Sequence, residues 1–225
     1  MSEYWKSYWK NVHITDPQIT VGRTKFGDPV SAKAFSKEIT FINKKLKVSD
    51  KENLLDLCAG NGLISDFFAP LVNQVTAVDI SEVLLENFIS RMPNIEKICQ
   101  DLNEFDFRKY HYHKVIWHFS IQHFSLSNSV QIIKKCLDNI QEGGVFYIGD
   151  VPDLDKKWQF YSLPEYRSFY FDKLINGQDH IGTWFQKSFF IHLLDYLGYK
   201  DRYEIISKPE FHFNSGYRFD LLIWK

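Results

Sequence analysis

Residues 54–65 read "LLDLCAGNGLIS". An apolar run broken by Asp56 ends in two glycines, Gly60 and Gly62, and a second apolar run follows at once. That order is expected of a buried strand passing through a tight turn into a helix. Glycines at such a turn let a ligand come within contact distance of the backbone, and the following helix offers its N-terminal amides.

Outward from this turn the chain alternates. Strand candidates lie at 53–58, 74–79, 95–100, 113–119 and 144–150, with helices at about 63–72, 81–91 and 127–141 between them. The 127–141 segment carries an apolar stripe at Val130, Ile133, Leu137 and Ile140, and Ser81 with Glu82 reads as an N-cap with an acidic first turn. Strand and helix repeating at this spacing predict a parallel sheet with right-handed crossovers. The end of the chain departs from that pattern. A helix at about 184–197 stops at Gly198, and two strand-like segments near 202–207 and 217–224 follow with no helix between them, so they must run antiparallel. The expected fold class is α/β: a doubly wound, mostly parallel seven-stranded sheet with an antiparallel C-terminal hairpin and helices on both faces. Ahead of the core, residues 3–13 predict a short helix with Trp5 and Trp9 on one face, "DPQITVGRTKFGDPVS" an ordered loop, and Ser31 the N-cap of a helix carrying Phe35, Ile39, Ile42 and Leu46.

Composition bounds the function. A chain of 225 residues, 44% of them hydrophobic, fits one domain with a full core. With 27 basic and 28 acidic residues it lacks the charge for a broad nucleic-acid footprint, and the "NKKLKVSDK" run reads as a solvated helix end. Three dispersed cysteines without metal-ligand spacing imply free thiols and a reducing compartment. The charged, aromatic start is unlike a signal peptide, and no apolar run approaches the roughly 20 residues of a membrane span. The expectation is a cytoplasmic protein without nucleic-acid or membrane partners, its oligomeric state, monomer or dimer, left open.

In an open parallel sheet, ligands bind beyond the carboxyl ends of the strands. Asp79, closing the second strand in "VTAVDIS", can accept both ribose hydroxyls of a nucleoside. The third glycine of the dinucleotide fingerprint is missing, and Asp56, four residues before Gly60, would repel a pyrophosphate. A carboxylate there suits a ligand carrying an ammonium and a sulfonium.

The D-x-x-x-G-x-G pattern, the acid after strand two, "QDLNEF" after strand three and the C-terminal hairpin together resemble the class I S-adenosylmethionine-dependent methyltransferases, most specifically over residues 50–150. The resemblance implies a set of cofactor residues. Ala59, Gly60, Asn61 and Gly62 would lie at the methionine moiety, with Asp56 acting mainly through the loop or water. Asp79 would take the ribose, Ile80 pack on adenine, and Asp101 with Leu102 meet the adenine edge. His118 would end strand four beside the sulfonium. Asn61 departs from the family's glycine at the middle of the loop, and "HYHK" stands where an acid often precedes strand four.

Methyl transfer is mostly positioning, with a base where the nucleophile carries a proton. The candidate catalytic residues are His118, His123 in "SIQHF" and Asp150 in "YIGDVP". His123 alternatively packs in the core, and Asp150 alternatively caps a turn. The strand-four region offers His and aromatic residues rather than clustered carboxylates, so no metal is expected, and "HYH" at 111–113 lacks a third ligand nearby. The substrate pocket is expected from two covers. One is an N-terminal helical lid, 1–48, where the 21–29 loop resembles, less specifically, the opening segment of bacterial methyltransferases of surface-sugar and secondary-metabolite genes. There Arg23 would grip a phosphate or carboxylate, or else order the loop through a salt bridge. The other is the insertion 151–183, whose Tyr166, Arg167 and Tyr170 would wall a small substrate, or else form a dimer contact. The cofactor core would span 49–150, and the last helix and hairpin 184–225. The acceptor is expected to be an oxygen or nitrogen of a small molecule. Rival readings are a non-catalytic cofactor-binding homologue or partner subunit, and a methyltransferase of RNA or protein. Against the latter, "HFSI" stands where nucleic-acid amino methylases carry an "NPPY"-like tetrapeptide.

Overall fold

The structure, a computed structural model, describes residues 1, 3–25, 28–178 and 181–225. Positions 26–27 of the 21–29 loop and 179–180 of the insertion lie outside the described residues. Among the described residues, seven strands form one sheet: β1 (Asn53–Leu57), β2 (Gln74–Asp79), β3 (Ile95–Cys99), β4 (Lys114–His118), β5 (Val145–Pro152), β6 (Tyr203–Ser207) and β7 (Arg218–Trp224). Their order is β3-β2-β1-β4-β5-β7-β6, parallel from β3 to β5, with β7 antiparallel to both β5 and β6. Strand order reverses at β1 and β4, which opens a crevice beyond their carboxyl ends.

The strands are apolar because both faces are covered. β4 is buried at every position, and β1 at all but its first. Seven helices of five residues or more surround the sheet among the described residues: α1 (Glu3–Lys10), α2 (Ala32–Leu46), α3 (Leu63–Phe68), α4 (Glu82–Glu86), α5 (Leu126–Asn139), α6 (Pro164–Ile175) and α7 (Lys187–Tyr196). On α5 the buried stripe runs through Ser129, Ile132, Ile133, Cys136 and Leu137, and Ile140 is buried just beyond its end. Ser31 and Ser81 cap α2 and α4 through their hydroxyls, as their positions suggested.

Three helices are shorter than the pattern predicts. α1 ends at Lys10, and α3 tightens into a 3-10 turn at Ala69–Leu71, where Pro70 cannot donate a backbone hydrogen bond. α4 stops at Glu86 because the Ile89 amide donates to Asn61 O (2.8 Å), which turns the Phe88 ring onto Gly62. The 151–183 insertion contains α6, most of whose side chains are exposed. No helix among the described residues is long and apolar enough to cross a membrane.

Candidate active site

The turn after β1 is built around Asp79. Its Oδ2 accepts the Gly60 amide (2.9 Å) and its Oδ1 the Ser81 amide (2.9 Å), so one carboxylate ties the glycine turn to the tip of β2. Gly60 has φ +59° and faces the crevice, with a Val21 methyl closing the space a Cβ would enter. Gly62, at φ +81°, is required for another reason: a side chain there would collide with the Phe88 ring. It packs the turn and does not line the crevice, contrary to the ligand-contact role expected of it.

The crevice spans about 740 Å³, open solvent at its mouth included. It brings together Ala59, Gly60, Asn61, Asp79, Ile80, Asp101, Leu102 and His118 from the expected cofactor set, with Arg23 and His123 beside them. Trp9, Val21, Cys58 and Phe119 also line it; they escaped the sequence reading because nothing local to them marks a ligand. Asp56 lies beneath the turn, accepting the Ser65 hydroxyl (2.7 Å), and lines neither this crevice nor its neighbour. Burial raises its pKa to about 7, and burial raises that of Asp79 as well. Asp101 is already engaged: Oδ1 accepts both nitrogens of Asn103 (3.0 and 2.9 Å), and Oδ2 lies 3.1 Å from Lys6 Nζ of α1. Asn61 donates from Nδ2 to Pro17 O (2.8 Å), clasping the N-terminal segment to the turn.

Arg23 takes the second of its two expected roles, an ion pair that orders the loop, and Asp150 is engaged inside the protein. Arg23 is 3% exposed, its guanidinium donates to Glu38 of α2, and its charge is therefore matched inside the protein. Glu38 also accepts from His212 Nε2 (2.7 Å), whose Nδ1 accepts the Asn214 amide (3.1 Å). His118 Nε2 sits 3.1 Å from Glu38 Oε1, without the angle of a hydrogen bond. Burial opposes ionisation of Glu38, but Arg23 and the two histidines hold its carboxyl well below the ordinary range. Asp150, at φ +64° in the bulge where the β5–β7 register shifts, faces neither cavity. Asn214 Nδ2 donates to it (3.1 Å) and Lys208 Nζ lies 3.4 Å away, also bonded to Asp220 (2.9 Å). Despite complete burial, Lys208, His212 and Arg218 drive the Asp150 pKa down, so the carboxylate anchors the C-terminal segment rather than serving as a free base.

His123 follows β4 and is held between the indoles of Trp5 and Trp9, with ring centroids at 4.1 and 5.4 Å. Burial first, and then Arg218, push its pKa down to about 3, so the ring is neutral. His118 is likewise lowered by burial, partly offset by Glu38. Beyond His123, Phe119 and Trp9 opens a second cavity of about 710 Å³, walled by α1, the 208–218 segment and the edges of the insertion at Phe160 and Ile181. Tyr166, Arg167 and Tyr170 line neither cavity. α6 turns outward, and Tyr170 is occupied by Lys157 Nζ (2.7 Å) and the Trp158 and Tyr161 rings. "HYH" at 111–113 lies at the opposite end of β4, where His113 Nδ1 accepts the Asn53 amide (3.1 Å). Among the described residues no group of three His, Cys, Asp or Glu side chains is placed to hold a metal ion.

Residues 54–144 match the family model of a methyltransferase domain. No curated protein matches the chain in sequence. Among solved structures, a putative O-methyltransferase from Nostoc punctiforme PCC 73102 superposes with TM-score 0.65 at 15% identity, over 92% of this chain and 60% of that one. This chain thus spans less than two thirds of that relative. An S-adenosylmethionine-dependent methyltransferase from Clostridium acetobutylicum ATCC 824 gives TM-score 0.61 at 14% identity, covering 87% and 92% of the two chains. The plantazolicin methyltransferase BpumL in complex with SAH gives 0.62 at 19%, covering 86% and 85%. These identities speak to the fold, and the glycine turn with Asp79 at the strand-order reversal lies inside the matched segment. The chain therefore has the fold of the class I S-adenosylmethionine-dependent methyltransferases, and its residues 54–144 match a methyltransferase domain.

Proposed function

We propose that the protein transfers a methyl group from S-adenosylmethionine to an oxygen or nitrogen of a small molecule held in the second cavity. The observation that carries this reading is the shared wall: Trp9, Val21, Phe119 and His123 line both the crevice and its neighbour. When bound, S-adenosylmethionine supplies an electrophilic methyl group on a sulfonium. Asp79 fits its ribose: a buried carboxylate with both oxygens fixed by backbone amides and its pKa raised by burial gains from hydroxyl donors. Ile80, Leu84 and Leu102 give the same crevice an apolar lining suited to adenine.

On the acceptor side, α1 and the 208–218 segment exclude water and fix the acceptor's approach. His123 Nδ1 is buried without a hydrogen-bond partner, and the ring, neutral because its pKa is pushed down to about 3, can accept a hydrogen bond that orients the acceptor. His118, held against Glu38, positions the tip of β4. In this reading residues 1–48 act as a lid, 49–150 as the cofactor core, and the insertion contributes its two ends rather than α6. Dispersed free thiols favour a reducing, cytoplasmic setting.

Calorimetry tests the cofactor half. S-adenosylhomocysteine should bind, and Asp79→Ala should weaken it by about 1–3 kcal/mol through lost charge-assisted hydrogen bonds. Equal affinity in the variant would remove Asp79 from the ribose; tighter binding of NAD than of either adenosyl compound would overturn the reading.

A further inference from the structure

Three of the buried cations, Arg23, Lys208 and Arg218, are not equivalent. Arg23 is paired with Glu38, and Lys208 with Asp220 and Asp150. Arg218, 4% exposed at the start of β7, has no carboxylate within 4 Å among the described residues; Asp150, which it influences from farther away, is already met by Lys208 and Asn214. Its Nη1 donates to the main-chain carbonyl of Asp150, its Nε has no partner, and it lines the second cavity. A buried guanidinium is ordinarily matched by an anion, because desolvating a charge without one is costly. Two further polar atoms on the same wall, Gln122 Oε1 and His123 Nδ1, also lack partners.

The rest of the cavity is aromatic. The Phe119 and Tyr217 rings lie 4.8 and 5.4 Å from the Arg218 guanidinium carbon, and Trp9, Phe160 and Phe213 complete the wall. Phe119 holds φ +59°, a conformation unusual for a bulky residue, and this places its ring on the partition between the two cavities. Flat rings prefer offset or edge-on aromatic partners, and a guanidinium prefers a carboxylate it can meet with two parallel hydrogen bonds.

We propose that the acceptor is an aromatic carboxylic acid, its ring held among these aromatic side chains and its carboxylate on Arg218. This rests on the methyltransferase reading and adds the acceptor's chemical class. Gln122 Oε1 and His123 Nδ1 are then the acceptors for the hydroxyl or amino hydrogens of the ring substituent that receives the methyl group.

The test uses the full chain saturated with S-adenosylhomocysteine, titrated calorimetrically with matched pairs: salicylate and salicylamide, 4-hydroxybenzoate and 4-hydroxybenzamide, anthranilate and anthranilamide. At least one acid should bind about ten-fold or more tightly than its amide. Arg218→Gln should erase that preference with S-adenosylhomocysteine affinity unchanged, and Arg218→Lys should retain part of it. Should Arg218→Gln fail to fold, the parent's acid-to-amide ratio and the Lys variant decide. Equal binding within every pair, survival of the preference in the Gln variant, or no binding by any compound while S-adenosylhomocysteine binds normally would each overturn the proposal. Failure of the parent to bind S-adenosylhomocysteine at all would instead remove the reading beneath it.

Discussion

Two pairs of buried carboxylates flank the crevice and titrate in opposite directions. On the core side, burial raises Asp56 to about 7 and also raises Asp79. On the cover side, Glu38 and Asp150 are just as enclosed, yet both fall, because Arg23 faces one and Lys208, His212 and Arg218 surround the other. Desolvation is common to all four, so the difference lies in whether the protein supplies a cation. The cover's acids are neutralised from within and are therefore largely structural. Asp56 and Asp79 on the core side have backbone and hydroxyl donors but no cation within 4 Å among the described residues, which is the electrostatic complement of a ligand that brings positive charge and hydroxyl groups.

Removing the cover's anion should produce the largest effect. Glu38→Ala leaves Arg23 buried without a counter-charge and removes the acceptor of His212, so unfolding in urea should show a loss of about 3–5 kcal/mol. A loss under about 1 kcal/mol would mean that the network is more hydrated than its burial implies.

The core side should respond to pH with the opposite sign to an ordinary paired acid. The folded pKa of Asp56, about 7, exceeds its model-compound value of 3.8. Well below pH 3.8 both states are protonated and the group costs nothing; as pH rises from there to about 7, the unfolded chain ionises first and folded stability is lost, levelling off above the folded pKa. Asp56→Asn keeps an acceptor for Ser65 and cannot ionise. The stability of the parent relative to this variant should therefore fall by roughly 1–3 kcal/mol between pH 5 and 8. A flat difference would show that Asp56 ionises freely and would break the contrast between the two sides.

How far these sides were legible in sequence follows the same division. Asp56, Gly60 and Asp79 lie close together in the chain and the strand alternation is a local pattern, so residue type and spacing suffice to place them. Glu38 reads as an ordinary helix residue, because its burial depends on Arg23 and on His212, 174 positions away in the chain. Arg218 reaches the acceptor wall only through the antiparallel pairing of β7 with β5, and local pattern carries no trace of that. The insertion misled for a related reason. Its aromatic content suggested a pocket, but those rings pack on one another at Trp158, Tyr161 and Tyr170, while only its ends meet the cavity. The Gly62 reading, too, missed the Phe88 ring that turns back when α4 ends early.

The smallest effect is expected on that outward helix. Arg167→Ala should leave S-adenosylhomocysteine affinity and acceptor binding unchanged and shift stability by no more than about 0.5 kcal/mol. A ten-fold loss of acceptor affinity would return α6 to the acceptor wall and sharpen the boundary drawn between the two covers.

The most direct measurement is a crystal structure of the protein with S-adenosylhomocysteine bound. The account predicts the ribose hydroxyls on the Asp79 carboxylate, and the sulfur pointing at the partition formed by Phe119 and His123, toward the cavity that contains Arg218. Ribose hydroxyls away from Asp79, or a sulfur directed away from that partition, would contradict it.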